Sequence, residues 1–154
     1  MTRSNVREIV AHLIFEMNFT EDSAHQLVET TMEPEYYSSL AQETEIYSER
    51  PNEKQMEYIR TLTRLTLENC SEIDGFIERY SKGWKIGRIS KTALAVLRCA
   101  ICEILYMDDI PNAAAINEAV ELAKGYDEPE TVSFVNGVLG GFMRGESSIL
   151  ESEQ

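Results

Sequence analysis

No run of apolar residues in this 154-residue chain approaches the roughly 20 needed to cross a bilayer, and its start lacks a basic, apolar and cleavable leader pattern. The chain therefore reads as a soluble, cytoplasmic protein without a membrane partner. Cysteine is scarce and odd in number, since Cys70, Cys99 and Cys102 alone give no disulfide framework. Histidine is scarcer still. With only His12 and His25, the Cys99-x-x-Cys102 pair lacks the four convergent ligands of a zinc site, and its place within an apolar run lacks the helix N-terminus that activates a redox thiol. No metal and no cofactor are expected, and the two thiols read as small, inert core residues. Windows alternating with period two are few, which argues against a sheet. Gly137, Gly140 and Gly141 follow no strand and lack the GxxxxGK pattern of a phosphate loop, so close helix packing explains at least part of that set.

Bases are also in short supply. Fourteen Lys and Arg stand against 27 Asp and Glu, a net charge of −13 that by itself argues against a nucleic-acid partner. The distribution changes that reading. Residues 79–98 hold Arg79, Lys82, Lys85, Arg88, Lys91 and Arg98 with no acidic residue, whereas the first 57 residues are strongly acidic. Such a dipolar surface can bind an anion locally, although a solvated polar face around a helix junction accounts for the run equally well on its own. Trp84 stands among these cations and could stack on bases, but a lone Trp at a helix junction is more readily a core plug.

What is present in quantity is helical periodicity. Val6, Ile9, Val10, Leu13, Ile14 and Met17 form one apolar stripe, predicting a helix over 3–18. A second helix is expected after the acidic pair Glu21 and Asp22. Residues 31–52 are acidic, Tyr-bearing and weakly periodic, and are read as loop with a short helix. From Glu53 the stripe Met56, Ile59, Leu62, Thr63, Thr66 and Leu67 predicts a helix to about 69, and Ile73, Phe76, Ile77 and Tyr80 predict another ending before Gly83. Ser90 reads as the N-cap of the most apolar helix, expected to be central, which Asp108-Asp109-Ile110-Pro111 ends. Two last helices fall over 112–126 and 130–144.

Arg98, Glu103 and Glu118 are charges set among apolar neighbours. No nucleophile or histidine accompanies them, so they read as bonds between neighbouring helices rather than catalysis. Asn136 and Gly137 read as a tight helix-helix contact. The chain is not expected to be an enzyme.

The order of LR at 97–98, Glu103, DIP at 109–111, INEAVELAK at 116–124 and FVNGVL at 134–139 resembles the NusB family of transcription antitermination factors, with the opening basic amphipathic helix TRSNVREIVAHLIFEMN matching it in outline. The resemblance implies an all-α, NusB-like bundle of about seven helices, one compact domain of two packed subdomains over 1–69 and 70–146, with 147–154 a disordered acidic tail. It implies binding to boxA-type single-stranded RNA together with ribosomal protein NusE, and association with the RNA polymerase elongation complex in support of ribosomal RNA transcription. It leaves monomer and homodimer open.

By resemblance the RNA-binding residues are Arg3, Arg7, Phe15 and Phe134, with Lys82, Lys85 and Arg88 as a further basic surface. The chain departs from the family where Ser4, Asn5 and Val6 separate Arg3 from Arg7, and where His12 replaces a common Gln. The thinned cluster predicts weak RNA binding by the chain alone and tighter binding with NusE. Two rival readings are a non-catalytic helical adaptor without RNA binding, and an RNA-binding domain related to the NusB-like domain of ribosomal RNA methyltransferases; the chain lacks the Gly-rich strand-to-helix turn of a methyl-donor site.

Overall fold

The computed structural model describes residues 1–147 and 150, and every regular element among them is helical. In chain order these are α1 (Arg3–Glu16), α2 (Ala24–Met32), α3 (Pro34–Leu40), α4 (Glu53–Glu68), α5 (Cys70–Tyr80), α6 (Lys91–Tyr106), α7 (Asn112–Tyr126) and α8 (Pro129–Gly145). Short 3₁₀ turns lie at Glu45–Tyr47 and Ile86–Arg88. The sequence writes most of the boundaries. Thr2 and Ser90 cap α1 and α6 through their hydroxyls, while Ser23 with Gln26 and Asn52 with Gln55 form capping boxes on α2 and α4. Pro34 and Pro129 occupy first-turn positions, where the missing N–H costs no hydrogen bond.

The apolar helix expected to be central is α6, which is buried without a break from Ala93 to Ile104 and packs against α1, α4, α5, α7 and α8. A helix surrounded on all sides cannot keep a polar face, which is why its sequence shows apolar residues all round. Ala115, Ala119 and Ala123, spaced four apart, let α7 lie close along it. Cys99 and Cys102 are both buried there; burial pushes the Cys102 thiol up to about 11 and the Cys99 thiol well above its ordinary range. One hydrophobic cluster runs from Val6 through α6 to Phe142 and Leu150, crossing the junction at residues 69 and 70. Of the tail expected to be disordered, residues 148–149 and 151–154 lie outside the described residues. Leu150 is buried and donates its amide to the Glu146 carbonyl.

The segment 31–52, read as loop with a short helix, holds that helix as α3 and adds a 3₁₀ turn, and tyrosines supply its apolar surface: Tyr37 and Tyr47 are buried edge to face, and Tyr37 donates its hydroxyl to the Glu49 carbonyl. One expectation is corrected: Asn136 and Gly137 make no tight helix contact. Both are exposed, and nothing lies within 4 Å of a Cβ built on Gly137. The close approach on α8 falls at Gly141 and Gly145, where an added Cβ would stand 3.3 Å and 2.0 Å from Tyr80 of α5.

His12 ties α1 to two other elements. Its Nδ1 lies 2.6 Å from the Tyr47 hydroxyl and its Nε2 2.7 Å from that of Tyr126, which in turn donates to Glu8. Because Tyr126 gives its proton to Glu8, it must accept from His12 Nε2–H, which leaves Nδ1 to accept from Tyr47. This chain is complete only with a neutral imidazole, and burial lowers the His12 pKa from its ordinary 6.5 although Glu8 and Glu16 on the same helix oppose that. The unfolded chain therefore takes up a proton first as pH falls. Stability should drop from about pH 6.5 down to the lowered folded value and level off below it. His12→Gln, whose amide can accept from Tyr47 and donate to Tyr126 without titrating, should lack this component when urea melts of the two proteins are compared between about pH 7 and pH 5. Parallel pH profiles would show that His12 is not the titrating group.

Candidate nucleic-acid interface

The residues expected to contact RNA fall into two separate places. Arg3 and Phe15 lie twelve positions apart on α1, about 18 Å along its axis at 1.5 Å per residue, so they mark opposite ends of the helix. Arg3 is exposed at the rim of a groove of about 740 Å³ between α1, α4 and the α6–α7 connection. That groove mixes Arg3 and Lys54 with Glu57, Asp109 and Glu118, so it has no field of one sign.

Arg7 has a different place from the one its sequence position suggested. Its Nε and Nη2 lie 3.3 Å and 3.2 Å from the Glu103 carboxylate, and Tyr58 donates to the same carboxylate at 2.9 Å. Glu103 is 2% exposed and the Arg7 side chain 14%. Burial, with Glu103 beside it, pushes the Tyr58 hydroxyl far up, so it remains a donor. Arg7 thus neutralises a buried charge of α6 and is not a free cation for phosphate. Arg98 likewise bonds Asp74 of α5 through Nε and Nη2, each at 2.8 Å, and reaches Asn18 through Nη1; Ser4 donates to Glu118 at 2.8 Å. These charges join helices, as their apolar neighbours implied.

The second place is the N-terminal end of α6. Of the six cations in residues 79–98, Arg79 pairs with Glu146 and Arg98 with Asp74. Lys82, Lys85, Arg88 and Lys91 are exposed and carry no ion pair among the described residues. Phe134, on the second turn of α8, is half-buried against the core and meets Trp84 at a centroid distance of 5.3 Å with the rings tilted by 45°.

Trp84 is not a core plug, for it is 50% exposed. Ser81 takes the buried position instead, donating its hydroxyl to the Trp84 carbonyl at 2.6 Å. The chain then turns outward through Lys82 at φ 44° and Gly83 at φ 92°, left-handed conformations that glycine adopts freely and lysine at some strain. Phe15 is half-buried and meets Phe19 at 5.3 Å. Phe19 is 59% exposed, with the Lys91 ammonium 5.8 Å from its ring centre. Sequence reasoning passed over Phe19 and counted Lys91 only within the run of cations at 79–98, outside the basic surface of Lys82, Lys85 and Arg88. The available signal was that Phe19 stands four residues after Phe15 and off the apolar stripe of α1, which leaves an aromatic with no core to enter.

The arrangement offers exposed rings beside unpaired cations, the two elements that sequence-tolerant binding of single strands uses. The model of the NusB family matches residues 4–144. The chain is 44% identical over 140 residues to the transcription antitermination protein NusB of Acetivibrio thermocellus, covering 91% of this chain and 87% of that protein. It is 39% identical over 150 residues to that of Alkaliphilus oremlandii, covering 97% and 99%. Among solved structures, T. maritima NusB superposes with a TM-score of 0.76 at 30% identity, covering 94% of this chain and 92% of that one. The antitermination factors NusB and NusE in complex with dsRNA give a TM-score of 0.73 at 20% identity over 93% and 96%, a likeness of fold.

Proposed function

Since the chain belongs to the NusB family, we propose that it is a cytoplasmic transcription antitermination factor that binds boxA-type single-stranded RNA together with ribosomal protein NusE. The pair joins the elongating RNA polymerase and supports ribosomal RNA transcription, and the chain itself catalyses nothing. The single observation that carries this reading is the surface of the α5–α6 connection and the start of α6, where Lys82, Lys85, Arg88 and Lys91 are exposed without an ion pair among the described residues, in one stretch of chain with Trp84, whose ring meets Phe134, in a protein of net charge −13. Further support comes from the names of the relatives, which are antitermination proteins, and from a fold neighbour that is NusB with NusE and dsRNA.

In this reading Phe134 stacks on a base, Phe15 backs a second aromatic contact, Arg3 adds a remote phosphate contact and Arg7 acts only through the fold. RNA binding by the chain alone is weak, because the field outside this surface is acidic, and NusE strengthens it by adding its own cations. With five cations on single-stranded RNA, Arg3 included, the slope of log affinity against log salt is at most about −3.5.

Titration of the chain with boxA-type RNA, with and without NusE, tests the proposal, and equal affinities in the two arms would remove the partner dependence. Phe134→Ala should weaken RNA binding by roughly 1–3 kcal/mol, as expected for one base-aromatic contact. The ring is half-buried, so its loss should cost the fold less than the about 3–5 kcal/mol of a fully buried Phe. A large fall in melting temperature with unaltered RNA affinity would assign Phe134 to the core.

A further inference from the structure

We propose that the connection from α5 to α6, residues 81–91, is a track for single-stranded RNA with two base-stacking stations, Trp84 beside Phe134 at one end and Phe19 beside Phe15 at the other. Lys82, Lys85, Arg88 and Lys91 take the phosphates between them. This deepens the RNA-binding reading above and rests on it.

Trp84 and Phe19 are among the most exposed large apolar side chains of the described residues, at 50% and 59%. Each is backed by a second ring that is itself anchored in the core, so a base arriving on the outer ring meets a fixed platform and little side-chain freedom is lost. The connection is also held in place. Ser81 is buried and bonded to the Trp84 carbonyl, Ile86 packs on the core, and Ile89 is buried, so the segment is pinned before Lys82 and on both sides of Arg88. Lys91 sits over the Phe19 ring, placing a cation at the second station, and in the sequence Trp84 stands between Lys82 and Lys85, four residues before Arg88.

The chemistry of the occupant follows from this pairing. Planar, polarisable rings recognise planar bases, while spaced cations recognise a backbone that repeats its negative charge. An acidic protein segment would satisfy the cations but leave both outer rings without a specific partner. Asp127 accepts from Thr92 at 3.1 Å and is a carboxylate at this end of α6, which sets a negative boundary beside Ser90 and Thr92.

Trp84 is the only tryptophan of the chain, so its emission reports on one station by itself. The full chain, with and without NusE, is titrated with single-stranded RNA of about twelve nucleotides and of about three, the shorter being too short to occupy both stations. The longer RNA should quench Trp84 emission saturably. Phe19→Ala should weaken the longer RNA roughly 5- to 150-fold while leaving quenching by the shorter one unchanged. Lys91→Ala should reduce the salt slope by about 0.7. Trp84→Phe, which keeps a ring at the first station, should bind better than Trp84→Ala, separating loss of stacking from loss of folding.

Undiminished RNA binding with Trp84 emission unaltered, or with Phe19→Ala indistinguishable from the parent, would overturn the track while leaving the family reading intact. Weakened capture of NusE by these variants with unaltered RNA binding would give the surface to a protein and overturn it as well. No RNA binding even with NusE would end both readings.

Discussion

Arg7→Ala should destabilise the protein by about 3–5 kcal/mol and leave the RNA affinity of the molecules that remain folded nearly unchanged. The expected size comes from what stays behind. Glu103 is 2% exposed in the middle of the helix bundle, and its carboxylate is held by Arg7 on one side and the Tyr58 hydroxyl on the other. Removing the guanidinium strands a charge that must either remain unpaired or take up a proton, and both are unfavourable at neutral pH. Arg7→Lys should recover only part of the loss, because an ammonium cannot reproduce the contacts that Nε and Nη2 make together. Replacing both partners, Arg7→Leu with Glu103→Leu, should restore much of the stability, since no buried charge is left. Urea denaturation of the three variants measures this. A lone Arg7→Ala variant that melts like the parent but binds RNA poorly would return Arg7 to the phosphate-binding role its place in the first helix suggested.

Phe142→Ala is the second large effect, about 3–5 kcal/mol of folding stability with no change in RNA binding while the protein stays folded. Phe142 has no exposed surface and stands edge to face with Phe76 at 5.2 Å and with Tyr80 at 6.2 Å, where α8 meets α5. Truncation would leave a cavity that Gly141 and Gly145, already against Tyr80, have no side chains to fill. Phe134 lies on the same helix two turns earlier and carries the reverse expectation. Comparing the two truncations in one melt and one titration tests whether α8 is core at its end and binding surface near its start; a melt that ranks Phe134→Ala as the more damaging would contradict that division.

The helices themselves were legible. The stripe of α1, the capping residue Ser90, and Pro111 between α6 and α7 each act over one or two turns of chain, so the order of residues carries them. The all-apolar character of α6 likewise announced a helix enclosed by others. Segment 31–52 was less readable, because an amphipathic tyrosine gives no plain periodic signal until its hydroxyl finds a partner such as the Glu49 carbonyl.

The sequence by itself determined that this is an all-helical member of the NusB family, where its cations are concentrated, and that Cys99 and Cys102 lie within an apolar helix, since composition, periodicity and motif order are properties of the chain. The tertiary structure alone decided which of those charges and rings are available. Arg7 meets Glu103 across 96 positions, Phe134 meets Trp84 across 50, and Lys91 meets Phe19 across 72. Whether an arginine is a free cation or half of a buried pair, and whether a tryptophan is a plug or a platform, depends on what the fold sets against it. Burial and pairing are fixed by neighbours distant in the chain, and local sequence has no access to them.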